Sequence, residues 1–476
     1  MADLEAVIGL EIHAQISTKT KMFCRCDNDS FDKSPNINVC PVCMGFPGML
    51  PVLNESALRK GIFAALALNC KIKEFSKFDR KNYFYPDSPK GFQISQFDEP
   101  ISEKGWIEIN TSNGNKKVNI TRLHLEDDAG KLTHVKGGTL VDFNRAGTPL
   151  MEIVSDPDMN SSEEASLYAR EVQKILRYVG SSEADMEKGM MRFDASVSIR
   201  EKGSKNLNAR SEIKNLNSFR SLENAIDYEI GRQKALWSQG EIQKQDFTVG
   251  WNEDKQEIFI MRSKEGSDDY RYFPEPDIPP VIISKKQIDE MKKELPELPA
   301  KKAERFRDEH GLNDEDIKIL VSDVLLANYF EDVVKGCGDV KLATSFVLTI
   351  LMKHLREELI SVDEQKVSSR MMAELLKMVM DGVISNNAAK GEVFEEMYKT
   401  GSKPAEIVKK KGLEQISDTS EIENVCKKVI KENQSIVEDI KNGKDKAIGA
   451  LIGKVMKETK GKANPSLVDE MVRKML

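Results

Sequence analysis

Residues 7–16 read VIGLEIHAQI, and their polarity alternates without a break. Ile8, Leu10, Ile12, Ala14 and Ile16 fall on one side, Glu11, His13 and Gln15 on the other. An extended chain points successive side chains to opposite faces, so this reads as a strand with one apolar face and one chemically loaded face. The pattern recurs. In MMRFDASVSI, Met191, Phe193, Ala195, Val197 and Ile199 alternate with Arg192, Asp194, Ser196 and Ser198. In ARSEIKN, Arg210, Glu212 and Lys214 share a face, and in ITRLHLEDDAG so do His124, Glu126 and Asp128 if the strand continues that far. TPLMEIVSD is an almost continuous apolar strand broken by one carboxylate, Glu152. A chain built of such strands needs a sheet, with a core on one face only.

A solvated sheet face would also be polar. These faces, however, mix Glu, Asp and His with Arg and Lys, and if they converge they form a concave acidic site with basic neighbours. Carboxylate oxygens with one imidazole suit Mg²⁺ or Mn²⁺ better than zinc. Such a site can hold nucleotide phosphates through the metal and balance transferring charge with Arg or Lys. A hydrolytic two-carboxylate site fits the same composition. KFDRKNYFYPDSPKGFQISQFDEP, residues 77–100, sets Lys77, Arg80 and Lys81 beside Tyr83, Phe84 and Tyr85. Basic residues beside aromatics can bind phosphate and stack a base, and a strand pair with a turn explains the aromatics equally well. There is no G-x-x-x-x-G-K-[ST] and no G-x-G-x-x-G after a strand, so any nucleotide site is of another type.

Residues 24–43, CRCDNDSFDKSPNINVCPVC, hold four of the seven cysteines as Cys24-x-Cys26 and Cys40-Pro-Val-Cys43, thirteen residues apart. Two pairs on tight turns match a two-knuckle structural Zn²⁺ site, the first pair one residue tighter than usual. A thioredoxin-like centre needs a single C-x-x-C on a βαβ unit. The remaining alternative is four ordinary buried thiols. Cys70, Cys337 and Cys426 stand alone and read as core thiols.

At 476 residues the length suggests about three domains. No apolar run approaches the ~20 residues of a membrane helix. MADLEAVIGL lacks the basic start of a signal peptide. The expectation is a cytoplasmic protein with reduced thiols and no membrane contact. Strand-like segments dominate to about residue 280. Among them Asn54 can cap a helix over residues 55–69, and Ser161 with Glu164 can form a capping box. A proline-rich passage covers residues 273–300, and the sequence beyond it is helical, with SSRMMAELLKMVMDG ending on Gly382 and a second seam expected at residues 401–412. Net charge is −7, yet residues 441–476 carry nine Lys or Arg against four Asp or Glu, leaving about −12 on the rest. A basic tail on an acidic body suggests one module that meets a polyanion; a solvated lysine-rich helix face is the alternative.

Taken together, VIGLEIHAQ, FPGMLPVLN, KFDRKNYFYPD, QISQFD, ITRLHLEDDAGK, DFNRAGTPLMEIVSDPD, KNLNSF, EGSDDYRYFPEPDIPP and GALIGKVMKETKGKANPSLVDEMV resemble, in order and over nearly the whole chain, the GatB family, the B subunits of aspartyl/glutamyl-tRNA(Asn/Gln) amidotransferases. The cysteine quartet resembles the zinc-bearing members, and the insertion that marks the archaeal GatE relatives is missing. The resemblance implies an α+β chain: a β-sheet-based catalytic cradle over residues 1–293, an all-helical domain over 294–405, and a small YqeY-like helical tRNA-binding tail over 406–476. It implies that ATP phosphorylates the side-chain carboxylate of mischarged Glu-tRNA(Gln) or Asp-tRNA(Asn), and that ammonia then displaces phosphate. The ammonia would come from an amidase, the A subunit, held with this chain by a small C subunit. The expected catalytic set is Glu11, His13, Glu126, Glu152, Asp194 and Glu212. Glu11, His13 and Glu126 as Mg²⁺ ligands rest most directly on the resemblance, and the others on strand-face logic. Arg80, Lys81 and Lys214 are expected at phosphate, Cys24, Cys26, Cys40 and Cys43 on Zn²⁺, and Lys454, Lys457, Lys460 and Lys462 on tRNA. The rival reading is a non-catalytic zinc-bearing tRNA-binding scaffold.

Overall fold

The computed structural model describes residues 3–263, 267–415, 419–441, 447–459 and 462–476. It divides into two compact units, residues 1–301 and 302–476. The strands of the first unit are β1 (Leu4–Gln15), β2 (Lys71–Ile72), β3 (Phe75–Ser76), β4 (Asp79–Asn82), β5 (Phe92–Ser95), β6 (Ser102–Thr111), β7 (Gly114–Asp127), β8 (Lys131–Val135), β9 (Gly138–Asp142), β10 (Pro149–Ser155), β11 (Met191–Glu201), β12 (Ser211–Leu216), β13 (Phe247–Asn252), β14 (Glu257–Ser263), β15 (Phe273–Pro274) and β16 (Val281–Ile282). Nine of them, among the described residues, form one sheet in the order β14-β13-β12-β11-β1-β10-β7-β6-β2. Neighbours are antiparallel except β12 and β13, which run parallel. A parallel pair needs a crossover, and helix α3 below provides it.

The period-two pattern decides which face is covered. Ile8, Leu10, Ile12 and Ala14 are fully buried, as are Phe193, Ala195 and Val197 on the neighbouring strand. Helices α1 (Glu55–Ala67), α2 (Ser162–Tyr178) and α3 (Phe219–Ser238) pack with these residues in one core, to which Ile288 of a further helix, Lys285–Glu294, also belongs. On α2, Tyr168, Val172 and Leu176 supply the stripe that meets the sheet. Each such side chain contributes roughly 1.5–3 kcal/mol on burial. Asn54 caps α1 as expected, accepting from the Ala57 amide. The expected capping box on α2 is only half formed. Ser161 accepts from the Glu164 amide at 3.2 Å, but the Glu164 carboxylate accepts from the Asn160 amide at 2.6 Å and from Lys116 at 2.7 Å. A cross-strand lysine outcompetes the cap's own backbone.

Around the open face stand smaller pieces: the three-stranded sheet β15-β4-β5 and the hairpin β8–β9. In the second unit the helices build two further cores. One gathers Phe330, Phe346 and Phe394 with Leu375 and Leu376; the other gathers Ile422, Cys426, Leu451, Val455, Val468 and Val472. The seam expected at residues 401–412, and the domain boundary at 405/406, are corrected. Helix Pro404–Lys411 buries Pro404, Ile407 and Val408, and Leu413 packs against the same core, so that core runs past the expected boundary. The lysines of KKK imitate a linker because they occupy the solvent side of an amphipathic helix. Cys70, Cys337 and Cys426 are buried thiols. No helix among the described residues is long and apolar enough to cross a membrane.

Candidate active site and thiol cluster

The open face of the sheet is organised by register. His13 on β1 pairs with Glu152 on β10 and with Arg192 on β11, and Glu152 pairs in turn with His124 on β7. Four strands thus set Arg192, His13, Glu152 and His124 in one row. Glu152 Oε2 lies 3.2 Å from His13 Nε2 and 3.6 Å from His124 Nε2, and Glu126 Oε2 lies 3.6 Å from the same His124 nitrogen. Ser95 donates to Glu126 at 3.1 Å. A second group lies one register step away. Glu11 pairs with Asp194, and Lys214 on β12 bonds Asp194 at 2.8 Å, reaches Glu11 at 3.8 Å and contacts Glu212.

Charge placement follows from this geometry. Burial opposes ionisation of Glu152, but His124, His13 and Lys81 outweigh it and hold its pKa well below the usual carboxylate range. Glu126 is likewise lowered, burial being offset by the His124 bond and by Lys81. Burial disfavours a charged His13, yet its hydrogen bond to Glu152 raises its pKa. Glu11 is raised, by burial and then by the neighbouring Glu152 charge. Asp194 is lowered, burial being outweighed by Lys214, so Glu11 is a carboxylate of higher proton affinity on a face whose Glu126, Glu152 and Asp194 are held ionised.

Each group has the donors of a cation site. Three ligand atoms lie within 4.8 Å of one another in both: His13, Glu126 and Glu152 in one, Glu11, Asp194 and Glu212 in the other. Buried Nδ1 atoms of His13 and His124 have no hydrogen-bond partner among the described residues, so the constellation is not self-satisfied. Oxygen-rich sets of this kind suit a hard divalent ion. The expected trio Glu11, His13 and Glu126 does not share one group, because Glu11 and His13, two residues apart on β1, point to different neighbours. Lys81 and Lys214 line both clefts over this face, of about 290 and 340 Å³. Arg80, expected beside them, is turned away. It makes a two-pronged bond to buried Glu275, at 2.7 and 2.9 Å, and stacks on Phe92. Alternation along β4 sends Arg80 and Lys81 to opposite sides, which corrects Arg80 as a phosphate ligand.

His124, Arg192 and Asp128 also belong to the site, although the expected set omits them. The alternation that marks their neighbours marks them too. It carries no sign of Ser95, Tyr270 and Tyr272, which reach the clefts from β5 and from the segment before β15.

The four sulfurs of Cys24, Cys26, Cys40 and Cys43 also lie within 4.8 Å of one another. The Cys40 amide donates to Cys43 Sγ at 3.2 Å, and amides of Met44 and Gly45 close the second turn on the carbonyls of Cys40 and Val42. The Cys43 thiol is lowered to about 5, first by the Cys24 thiol and, against burial, by the Cys40 amide and Lys21. A closed all-sulfur set with an acidic member fits structural zinc and leaves no position for substrate.

Such a row of imidazoles and carboxylates on a helix-backed antiparallel sheet defines a cradle for carboxylate or phosphoryl chemistry. The family model described as GatB/GatE catalytic domain matches residues 6–289, and the one described as GatB domain matches residues 328–476. The B subunit of the aspartyl/glutamyl-tRNA(Asn/Gln) amidotransferase of Thermotoga maritima is 48% identical over 476 residues, 99% of this chain and 98% of the relative. The corresponding protein of Clostridium tetani is 48% identical over 471 residues, with the same coverage, and that of Caldicellulosiruptor saccharolyticus 47% over 482, covering 100% and 99%. The chain belongs to the GatB family.

Proposed function

We propose that this chain amidates the side-chain carboxylate of Glu carried by tRNA(Gln), of Asp carried by tRNA(Asn), or of both, as the B subunit of an aminoacyl-tRNA amidotransferase, a ligase. The observation that carries the reading is the pair of carboxylate groups on one sheet face with Lys81 and Lys214 lining the clefts above both. A carboxylate resists amines, so its oxygen must first become a leaving group, and phosphorylation by ATP does this. Bound Mg²⁺, held by His13, Glu126 and Glu152 or by Glu11, Asp194 and Glu212, would offset repulsion between the carboxylate and the γ-phosphate. Lys81 and Lys214 balance charge on the phosphoryl oxygens. The helix-covered opposite face keeps the strands rigid beneath the row. Ammonia is delivered by the amidase, or A subunit, with a small C subunit joining the two, in the cytoplasm. Zinc on the cysteine quartet is structural.

The test is the purified complex given each mischarged tRNA, Mg²⁺, ATP and glutamine. Gln-tRNA or Asn-tRNA with stoichiometric ADP is expected. Tight tRNA binding with no tRNA-dependent ATP turnover would favour the scaffold reading instead.

The cradle, the helical domain and the tail correspond in this proposal to the three cores, with the tail as a tRNA module. Lys454 and Lys457, on the helix Ile448–Glu458, and Lys462 are exposed. Lys460 lies outside the described residues. Removing residues 414–476 leaves the first two cores whole, because the third is built from Ile422 onward. The truncated complex should bind tRNA more weakly, and the slope of log K against log salt should fall by about 0.9 for each phosphate no longer neutralised, less on single strands. Turnover at saturating tRNA should persist. An unchanged affinity and slope would show that these lysines only face solvent.

A further inference from the structure

Among the described residues Lys21 is the one fully buried lysine, at 0% exposure. Taking an ammonium out of water is costly unless an opposite charge and hydrogen bonds meet it. Among the described residues no carboxylate pairs with it. Its Nζ instead donates to the Asn38 carbonyl at 2.6 Å and to the Phe143 carbonyl at 3.4 Å, and lies 3.9 Å from Cys43 Sγ. The charge facing Lys21 is therefore sulfur, and the two carbonyls belong to different segments: Asn38 to the cysteine loop, Phe143 to the turn between β9 and β10.

The same two segments are stapled by side chains. The Asn38 amide donates to Asn144 Oδ1 at 2.9 Å, and Asn144 Nδ2 donates to the Ser34 carbonyl at 2.7 Å, with Asn144 at 1% exposure. The Met22 amide donates to the Gly147 carbonyl at 2.8 Å. Gly147 has φ +89, and a Cβ there would stand 3.4 Å from both Cys43 Cβ and Lys21 Cδ, so the turn lies directly against the cluster. From that turn Arg145 reaches Asp128 at 3.5 Å and the Gly130 carbonyl at 2.7 Å, at the edge of the cleft that holds His13 and Glu126.

We infer that Lys21 is a positioning residue that balances the charge of the metal-loaded cysteine cluster and fastens it to residues 143–147, so that metal occupancy sets how firmly the turn carrying Arg145 is held. The inference rests on the zinc reading of the cysteine quartet. Four thiolates around a divalent ion leave a net charge of roughly −2, and one buried ammonium halves it. Without the metal nothing holds the four sulfurs together, so the cysteine loop, and with it the strap from Asn38 through Lys21 to Phe143, loosens.

The experiment uses the full chain in its complex, comparing the parent with Lys21→Met, which keeps the length and removes the charge. Both are expected to purify with zinc. The variant should release zinc to 4-(2-pyridylazo)resorcinol at least about tenfold faster, the range usual for loss of a residue supporting a metal ligand. With cobalt substituted for zinc, its thiolate charge-transfer band should move to longer wavelength, because Cys43 loses a cationic neighbour; a packing defect alone would leave that band in place. Parent protein stripped of metal should exchange amide hydrogens faster at residues 36–38 and 143–147 than in distant β13. Unchanged release rate and band position in a zinc-loaded Lys21→Met overturn the role of Lys21. Unchanged exchange at residues 143–147 after stripping overturns the coupling, and that measurement decides if the variant does not fold. Parent protein that holds no zinc overturns the reading of the cysteines themselves.

Discussion

Replacing Glu152 by Gln should lower acyl-phosphate formation by about 10²–10⁴-fold, with tRNA affinity nearly unchanged. Gln keeps the shape and hydrogen-bonding reach of the side chain but cancels its charge. That charge is shared: one oxygen serves His13 at 3.2 Å and His124 at 3.6 Å, and Glu126 stands across the same imidazole. Losing it weakens the hold on any divalent ion and leaves Lys81 without part of its balance. Glutamine hydrolysis by the amidase should survive at least in part. Glu229→Gln is the control, since Glu229 is fully buried on α3, bonded to Arg232 and Gln233. It should cost stability without lowering turnover per folded molecule. Parental ATP turnover by Glu152→Gln at limiting Mg²⁺ would remove Glu152 from the site.

Asp128→Asn should destabilise the first unit by about 3 kcal/mol. Asp128 is buried and receives Arg192 at 3.3 Å, Arg145 at 3.5 Å and the Ala129 amide at 2.9 Å. Burial alone would raise its pKa, but the two guanidiniums hold it down at about 2. The amide cannot neutralise them, and both are left partly out of water without their nearest counter-charge. The cost lies at the lower end for a broken buried pair, because each arginine stays partly exposed to solvent. Trp106, Trp237 and Trp251 all belong to the first unit, so tryptophan fluorescence during urea unfolding reports on it alone. A midpoint shift worth less than 1 kcal/mol would mean that solvent already screens the two guanidiniums.

The site is legible in the sequence where it depends on alternation. Glu11, His13, Glu126, Glu152, Asp194, Glu212 and Lys214 all fall on the open face, because period two is a property of the backbone and a buried face fixes its phase. How they group is not legible. That Glu152 stands between two histidines, and that Glu11 belongs with Asp194, follows from strand order and register, which no single strand carries. Arg80 shows the same limit from the other side. Its neighbours in sequence are basic and aromatic, but its partner Glu275 is almost two hundred residues away, and composition cannot tell a phosphate ligand from half of an ion pair. The cysteine quartet is legible from spacing, whereas its buried lysine is not, since Lys21 in STKTKMF looks like a surface residue. In the organisation of the chain, the prolines before residue 300 mark the change from strand to helix. Residues 401–412 give a false signal, because lysines on the outer side of a helix look like a linker.

Strand β1 is made long before either of its partners. Its two neighbours are β10 and β11, and residues 16–148 lie between β1 and the first of them. At roughly 5–20 residues per second, that delay runs from some seconds to half a minute. Throughout that interval a strand as apolar as VIGLEIHAQI has both edges open, the condition in which chains pair with the wrong neighbour. The row closes in two steps: His124, Glu152 and His13 can align once β10 has left the ribosome, whereas Arg192, and the group of Glu11 with Asp194, must wait for β11. A nascent chain stopped short of Met191 should need a chaperone to stay in solution.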